Sequence, residues 1–203
     1  MKLYHTPTSP FVRKVMLAAH ELGLADRIET IHLRPTPIAP DGTLSSDNPL
    51  SKIPTLVLDD GGTLYDSHVI CEYLDSLGAR RLIPERGPAR FTALRREALA
   101  GGITEAGVLV FYETRTRPAE RRWDAWISGQ TQKILQGLDA LEREARSIAE
   151  APIDLGHLGI AAGLGWLEFR EIVPDLFAGR PRLEVWYRSF CERPSMQATV
   201  PHA

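Results

Sequence analysis

The spacing of hydrophobic positions changes character once along this chain. Up to residue 78 short strand-like runs alternate with helical ones, and beyond residue 88 the spacing is helical throughout. Lys2 to His5 reads as a short strand that ends in the turn-rich stretch Thr6-Pro7-Thr8-Ser9-Pro10. Phe11, Val12, Val15, Met16, Ala19 and Leu22 then follow helical spacing, with Gly23 as the stop. Residues 27–33 read as a second strand, and residues 34–52, with four prolines, as loop. Residues 55–58 form a buried strand, Asp59-Asp60-Gly61-Gly62 a hairpin turn and residues 63–65 the returning strand. Val69, Ile70, Tyr73, Leu74 and Leu77 mark an amphipathic helix ending at Gly78. The order β-α-β, hairpin, helix predicts one mixed sheet covered by helices.

Residues 79–88 read as a linker, with Arg80-Arg81, Pro84 and Gly87-Pro88. Four helices are predicted after it. The first covers residues 89–116 with a bend at Gly101-Gly102. The second is carried by Trp123, Trp126, Ile127, Ile134, Leu138, Leu141, Ala145 and Ile148, and the third spans the Gly- and Ala-rich residues 155–172. The last opens at Pro181 and stops before Pro194. The predicted organisation is an α/β domain over residues 1–78, a linker over 79–88 and an all-α domain over 89–203.

Composition narrows the function classes. Of 203 residues 43% are apolar and 25% charged, as in globular domains, and the formal charge is only −2. A near-neutral balance offers no basic face for nucleic acid. The longest nearly apolar stretch, residues 159–167, has nine residues with three glycines, short of the roughly 20 needed to span a bilayer. The first residues lack the apolar core of a signal peptide. A cytoplasmic protein is therefore expected. Cys71 and Cys191 are too far apart for a disulfide framework or a zinc pattern, and His5, His20, His32 and His68 lack metal-ligand spacing, so no metal is expected.

Three short segments carry candidate chemistry. Ser9 stands at a helix N-cap with Pro10 at the first helical position; by itself this is capping, but free N–H groups beside a hydroxyl can also hold an anion such as a thiolate. Lys52-Ile53-Pro54 puts a proline at the start of a buried strand, where it forfeits a ladder donor. A cis Ile53–Pro54 bond there would let the Ile53 backbone pair with an extended peptide. Asp66 and Ser67 open the next helix without a capping box, and could take an ammonium and a carboxylate, the two ends of an amino-acid head group.

Taken in order, Ser-Pro-Phe-Val-Arg-Lys-Val at 9–15, Lys-Ile-Pro-Thr-Leu at 52–56 and Asp-Ser-His-Val-Ile-Cys-Glu-Tyr-Leu at 66–74 resemble the glutathione transferase superfamily, in its bacterial serine/cysteine-type branches. The resemblance covers essentially the whole chain. It implies a thioredoxin-like N-terminal domain that binds glutathione, an all-α C-terminal domain that binds the second substrate, and a homodimer meeting around residues 69–77 and the first half of the following helix. It implies that Ser9 contacts the glutathione sulfur and that Ile53, held by Pro54, pairs with the cysteinyl backbone. Asp66 and Ser67 would then hold the γ-glutamyl end, Lys52 would lie near the glycyl end, and Tyr112 would face the electrophile.

The implied activity is glutathione S-transfer to a small hydrophobic electrophile, a detoxification chemistry with glutathione as co-substrate. Two other readings share the fold: a non-enzymatic interaction protein and a glutathione-dependent isomerase. Two departures from the family pattern stand out. Ser9 replaces the cysteine of redox-active members, which removes disulfide exchange at that position. The family's Ser/Thr-x-x-Asp cap of the buried C-domain helix becomes Asp154-Leu155-Gly156-His157, for which a structural role of His157 is expected. The four tryptophans, Trp123, Trp126, Trp166 and Trp186, are expected in the core.

Overall fold

The computed structural model describes residues 1–202, which divide into two units: Met1–Gly87 together with the segment from Pro194, and Pro88–Arg193. In the first unit strand β1 (Lys2–His5) is central. It pairs in parallel with β2 (Glu29–His32) and antiparallel with β3 (Thr55–Val57), and β3 pairs antiparallel with β4 (Thr63–Leu64). The strand order is β2-β1-β3-β4. Helix α1 (Pro10–Glu21) makes the crossover that a parallel pair requires, and Gly23 adopts φ +69 just beyond its end, a conformation open to glycine at little cost. Val15, Leu17, Ala18 and Ala19 of α1 are buried, as are Ile70 and Leu74 of α3 (Ser67–Leu77), which packs against α1.

The proline-rich segment expected as loop contains a short helix, α2 (Gly42–Asp47). Asp41 caps it by accepting from the Leu44 N–H at 3.0 Å, and Leu44 is completely buried. One apolar residue in six shows no period, so the pattern could not reveal this helix. The Asp47 carboxylate accepts from the Tyr4 hydroxyl at 2.7 Å, which ties α2 to β1. The stretch read as a linker is anchored too: Leu82 and Ile83 are buried, and both of their N–H groups donate to the Asp75 carboxylate.

The second unit holds α4 (Gly87–Arg115, from Pro88 onward), α5 (Asp124–Glu150), α6 (Leu155–Phe169) and α7 (Pro181–Cys191). Helix α4 runs without interruption through Gly101 and Gly102. Every residue of α6 from Leu155 to Leu167 is buried. Its glycines allow a close approach to α4: a Cβ on Gly163 would lie 2.6 Å from the Thr104 hydroxyl oxygen. Trp166 and Trp186 are buried as expected, but Trp123 is 64% and Trp126 40% exposed, their rings stacked 6.4 Å apart at the start of α5. Helical spacing marks a shared face and is silent on whether a neighbour covers it.

A final short helix, α8 (Pro194–Ala198), does not travel with the helical unit, to which the sequence pattern attached it. It packs on α1, where the Ser195 hydroxyl donates to Glu21 at 2.6 Å and an Arg13 guanidinium donates to the Met196 carbonyl at 3.3 Å. Among the described residues no helix is long and apolar enough to cross a membrane.

Candidate functional site

Strand direction gathers the three candidate segments at one end of the sheet. β1 ends at His5, so the turn that follows delivers Ser9 and the N-terminus of α1 there. Because β3 runs antiparallel to β1, with Tyr4 opposite Thr55, its start at Ile53-Pro54 lies at that same end. β4 runs antiparallel to β3 with Leu64 opposite Leu56, so the chain leaves it toward Tyr65, Asp66 and the N-terminus of α3 at that end as well. Three segments that begin at Ser9, Ile53 and Asp66 in sequence thus meet because of strand pairing.

At the first segment the Ser9 Oγ accepts from the Val12 N–H at 3.3 Å and caps α1. Its hydrogen stays free to donate, and the Phe11 N–H in the first turn has no intrahelical acceptor. A donor pair at a helix N-terminus favours an anion. At the second, the Ile53–Pro54 bond is cis. The Lys52 carbonyl just before it is held twice, by the Asn48 Nδ2 at 3.0 Å and by the Thr55 hydroxyl at 2.8 Å. Asn48 also donates to the Thr55 Oγ1 and accepts from the Leu50 N–H, both at 3.0 Å, and it is 1% exposed. The Lys52 side chain is exposed.

At the third segment Asp66 is the N-cap of α3, its Oδ1 accepting from the His68 N–H at 3.0 Å. Asp66 is exposed, so its second carboxylate oxygen faces solvent, while Ser67 beside it is buried. The Tyr65–Asp66 bond is cis as well. Together these groups present a hydroxyl, helix N-terminal amides, a held backbone and a carboxylate, the complement of an extended peptide with a free ammonium, a carboxylate and a thiol.

Two features of this end escaped the sequence pattern. Asn48 is the hub that fixes the Lys52 carbonyl, and an asparagine beside prolines looks like any turn residue. His5 and His32 are direct partners in the β1–β2 register, with ring centroids 5.5 Å apart, and Arg34 Nε donates to His32 Nε2 at 3.0 Å. Burial, followed by the neighbouring His32 and His202, pushes the His5 imidazole below its ordinary pKa. Their separation of 27 positions carries no signal until the two strands are known to pair in parallel. No group of three or more His, Cys, Asp or Glu among the described residues is arranged to hold a metal ion.

The other two singled-out residues lie in the helical unit. His157 is buried in a cap of α6 and belongs to the scaffold. Tyr112 is half-buried beside Phe111, their ring centroids 5.8 Å apart, and burial raises its phenol pKa against the opposing pull of Arg170.

Residues 8–77 match the family model described as glutathione S-transferase, N-terminal domain. Over 204 aligned residues the chain is 32% identical to an uncharacterized GST-like protein, YibF, of Escherichia coli (strain K12), covering 99% of this chain and 98% of that one. A glutathione transferase family member from Pseudomonas fluorescens Pf-5, solved with bound glutathione, is 43% identical, covers 100% of this chain with 99% of its own, and superposes with a TM-score of 0.97. A structure from the same organism with bound S-(propanoic acid)-glutathione is 42% identical, with 99% of each chain covered and a TM-score of 0.92.

Proposed function

The chain belongs to the glutathione transferase superfamily, with a thioredoxin-like domain followed by a helical one, and we propose that it conjugates glutathione to small electrophilic substrates. The observation that carries this reading is the convergence of Ser9, Ile53 and the Asp66–Ser67 pair at one end of a single sheet. The bound glutathione of the Pseudomonas fluorescens relative supports glutathione as co-substrate.

In this reading Asp66 takes the γ-glutamyl ammonium, and Ser67 with the first turn of α3 takes its carboxylate. The Ile53 backbone pairs with the cysteinyl residue, and Lys52 supplies positive charge toward the glycyl end. The Ser9 hydroxyl, together with the amides of α1, donates to the sulfur. Each unit by which they lower the thiol pKa corresponds to about 1.4 kcal/mol of preference for the thiolate. The thiol proton leaves to solvent. The thiolate then attacks the electrophilic carbon, an S–C bond forms, and the C–X bond breaks with its electron pair on X: R–X + GSH gives R–SG + HX. Ser9 acts as a donor. A serine nucleophile would need a base, and the hydrogen bond made by the Ser9 Oγ is accepted from the Val12 N–H of its own helix.

A homodimer in the cytoplasm completes the proposal. Val69 and Leu77 on α3 and Phe91 on α4 are large apolar side chains left 42%, 38% and 69% exposed, as an unpaired interface would leave them. The test is calorimetric titration with glutathione followed by mass-spectrometric detection of R–SG across a panel of aryl halides, epoxides and unsaturated carbonyls. Micromolar to millimolar glutathione binding with enzyme-dependent conjugates is the expected result. Binding without any conjugate would leave a glutathione-binding protein and remove the transferase.

A further inference from the structure

The helical unit contains a pocket of about 380 Å³ built by the last turns of α4, the segment before α5 and the chain just after α6. Arg115, Arg122 and Arg170 line it together with the apolar Val110, Phe111 and Ile172. Seven other arginines of this unit each have a carboxylate within 4.0 Å. No such partner lies within 4.0 Å of Arg115, Arg122 or Arg170 among the described residues. The only acidic residue of the lining is Glu171, so the pocket carries a formal charge of 3 − 1 = +2.

Arg170 is the residue that this arrangement leaves incomplete. Its guanidinium lies 4.8 Å from the centre of the Phe111 ring and 4.9 Å from that of Phe169, so it is held by aromatic faces instead of by an acid. Its Nε is buried and has no hydrogen-bond partner, an atom that ordinarily costs stability unless something completes it. Burial, followed by the positive charge of Arg115, pushes this guanidinium below its ordinary pKa, and Tyr112 acts the other way. A forked donor next to a second guanidinium, with an aromatic wall beside them, matches a carboxylate attached to a flat apolar body.

We propose that this pocket binds small aromatic carboxylates, the carboxylate on Arg170 and Arg115 and the ring against Phe111. This binding stands without the conjugation reading and is tested separately from it.

Titration of the full chain with 3-nitrobenzoate and with its uncharged analogue 3-nitrobenzamide measures the pocket directly. The acid is expected to bind at least tenfold more tightly than the amide. The ratio should fall to near one in Arg170→Gln and drop severalfold in the exposed-site variant Arg115→Gln, with glutathione affinity unchanged in both. Equal binding of acid and amide, or a ratio kept in both variants, overturns the proposal. A loss of glutathione affinity in the variants also overturns it, because the pocket would then belong to glutathione's own carboxylates.

Discussion

Asp154 and His157 cap each other at the start of α6. The His157 N–H donates to Asp154 Oδ1 at 3.1 Å, and His157 Nδ1 reaches back to Asp154, 2.7 Å from that same oxygen and 3.2 Å from its backbone nitrogen. The imidazole is 2% exposed, and its other nitrogen, Nε2, donates to the Ile148 carbonyl at 2.9 Å. A carboxylate at 157 could complete the reciprocal cap but has no proton for Ile148. The imidazole therefore closes the N-terminus of α6 and the last turn of α5 with one side chain.

Replacing His157→Asp should cost roughly 1–3 kcal/mol, the range for a buried acceptor left without its donor, and should add like-charge repulsion against Asp154. The double change Asp154→Ser with His157→Asp restores a conventional cap and should recover the repulsive part. Denaturant midpoints of the three proteins measure this; a single variant as stable as the parent would show that Ile148 does not depend on the histidine.

Ser9→Ala should raise the pKa of the bound glutathione thiol and lower turnover near neutral pH about tenfold for each pKa unit, while glutathione affinity stays nearly constant. The ultraviolet absorption of the bound thiolate followed against pH, beside the pH–rate profile, tests it. Profiles that coincide with the parent's would pass the donor role to the Thr8 hydroxyl or the backbone amides.

Asp66→Asn keeps an oxygen for the His68 N–H, so α3 keeps its cap, but it removes the charge offered to an ammonium. Glutathione binding should weaken by roughly 1–3 kcal/mol, the value of a hydrogen bond to a charged group. Thermal stability should hardly change. Calorimetry that finds the same affinity in both proteins would place the γ-glutamyl end elsewhere.

Glu142 on α5 caps α7 from outside: its carboxylate accepts from the Leu183 N–H at 2.7 Å and from the Arg182 side chain at 2.8 Å. Burial pushes this carboxyl up, but the donors from Arg182 and Leu183 outweigh it and hold it below the ordinary glutamate range. With the folded value depressed, its contribution is complete above the unfolded pKa and is lost as the pH falls through the folded one. Glu142→Gln keeps an oxygen for the Leu183 N–H but removes the charge opposite the exposed Arg182. It should therefore flatten the acid limb of a stability–pH curve and cost up to about 1 kcal/mol at pH 7. An acid limb of unchanged steepness would exclude Glu142 as its source.

Local pattern carried much of this molecule. The change of hydrophobic period near residue 80 announces a mixed sheet followed by helices, and Ser9 with Pro10 announces its cap, because these signals rest on neighbours within a turn or two. The candidate site was legible as three separate segments whose order resembled a known family. Their convergence became visible only through register, since β1 and β3 run in opposite directions and bring Ser9 and Ile53 to one end.

The rest was decided in three dimensions. Leu44 in α2, the cap that Glu142 supplies to Leu183 41 positions away, the exposure of Trp123 and the arginines without an acid around Phe111 all depend on what lies opposite a residue in space. Periodicity reports which side chains share a face. Whether that face meets an apolar neighbour, a carboxylate or solvent is settled by packing, and the desolvation cost of a guanidinium or an amide exists only once that packing is complete.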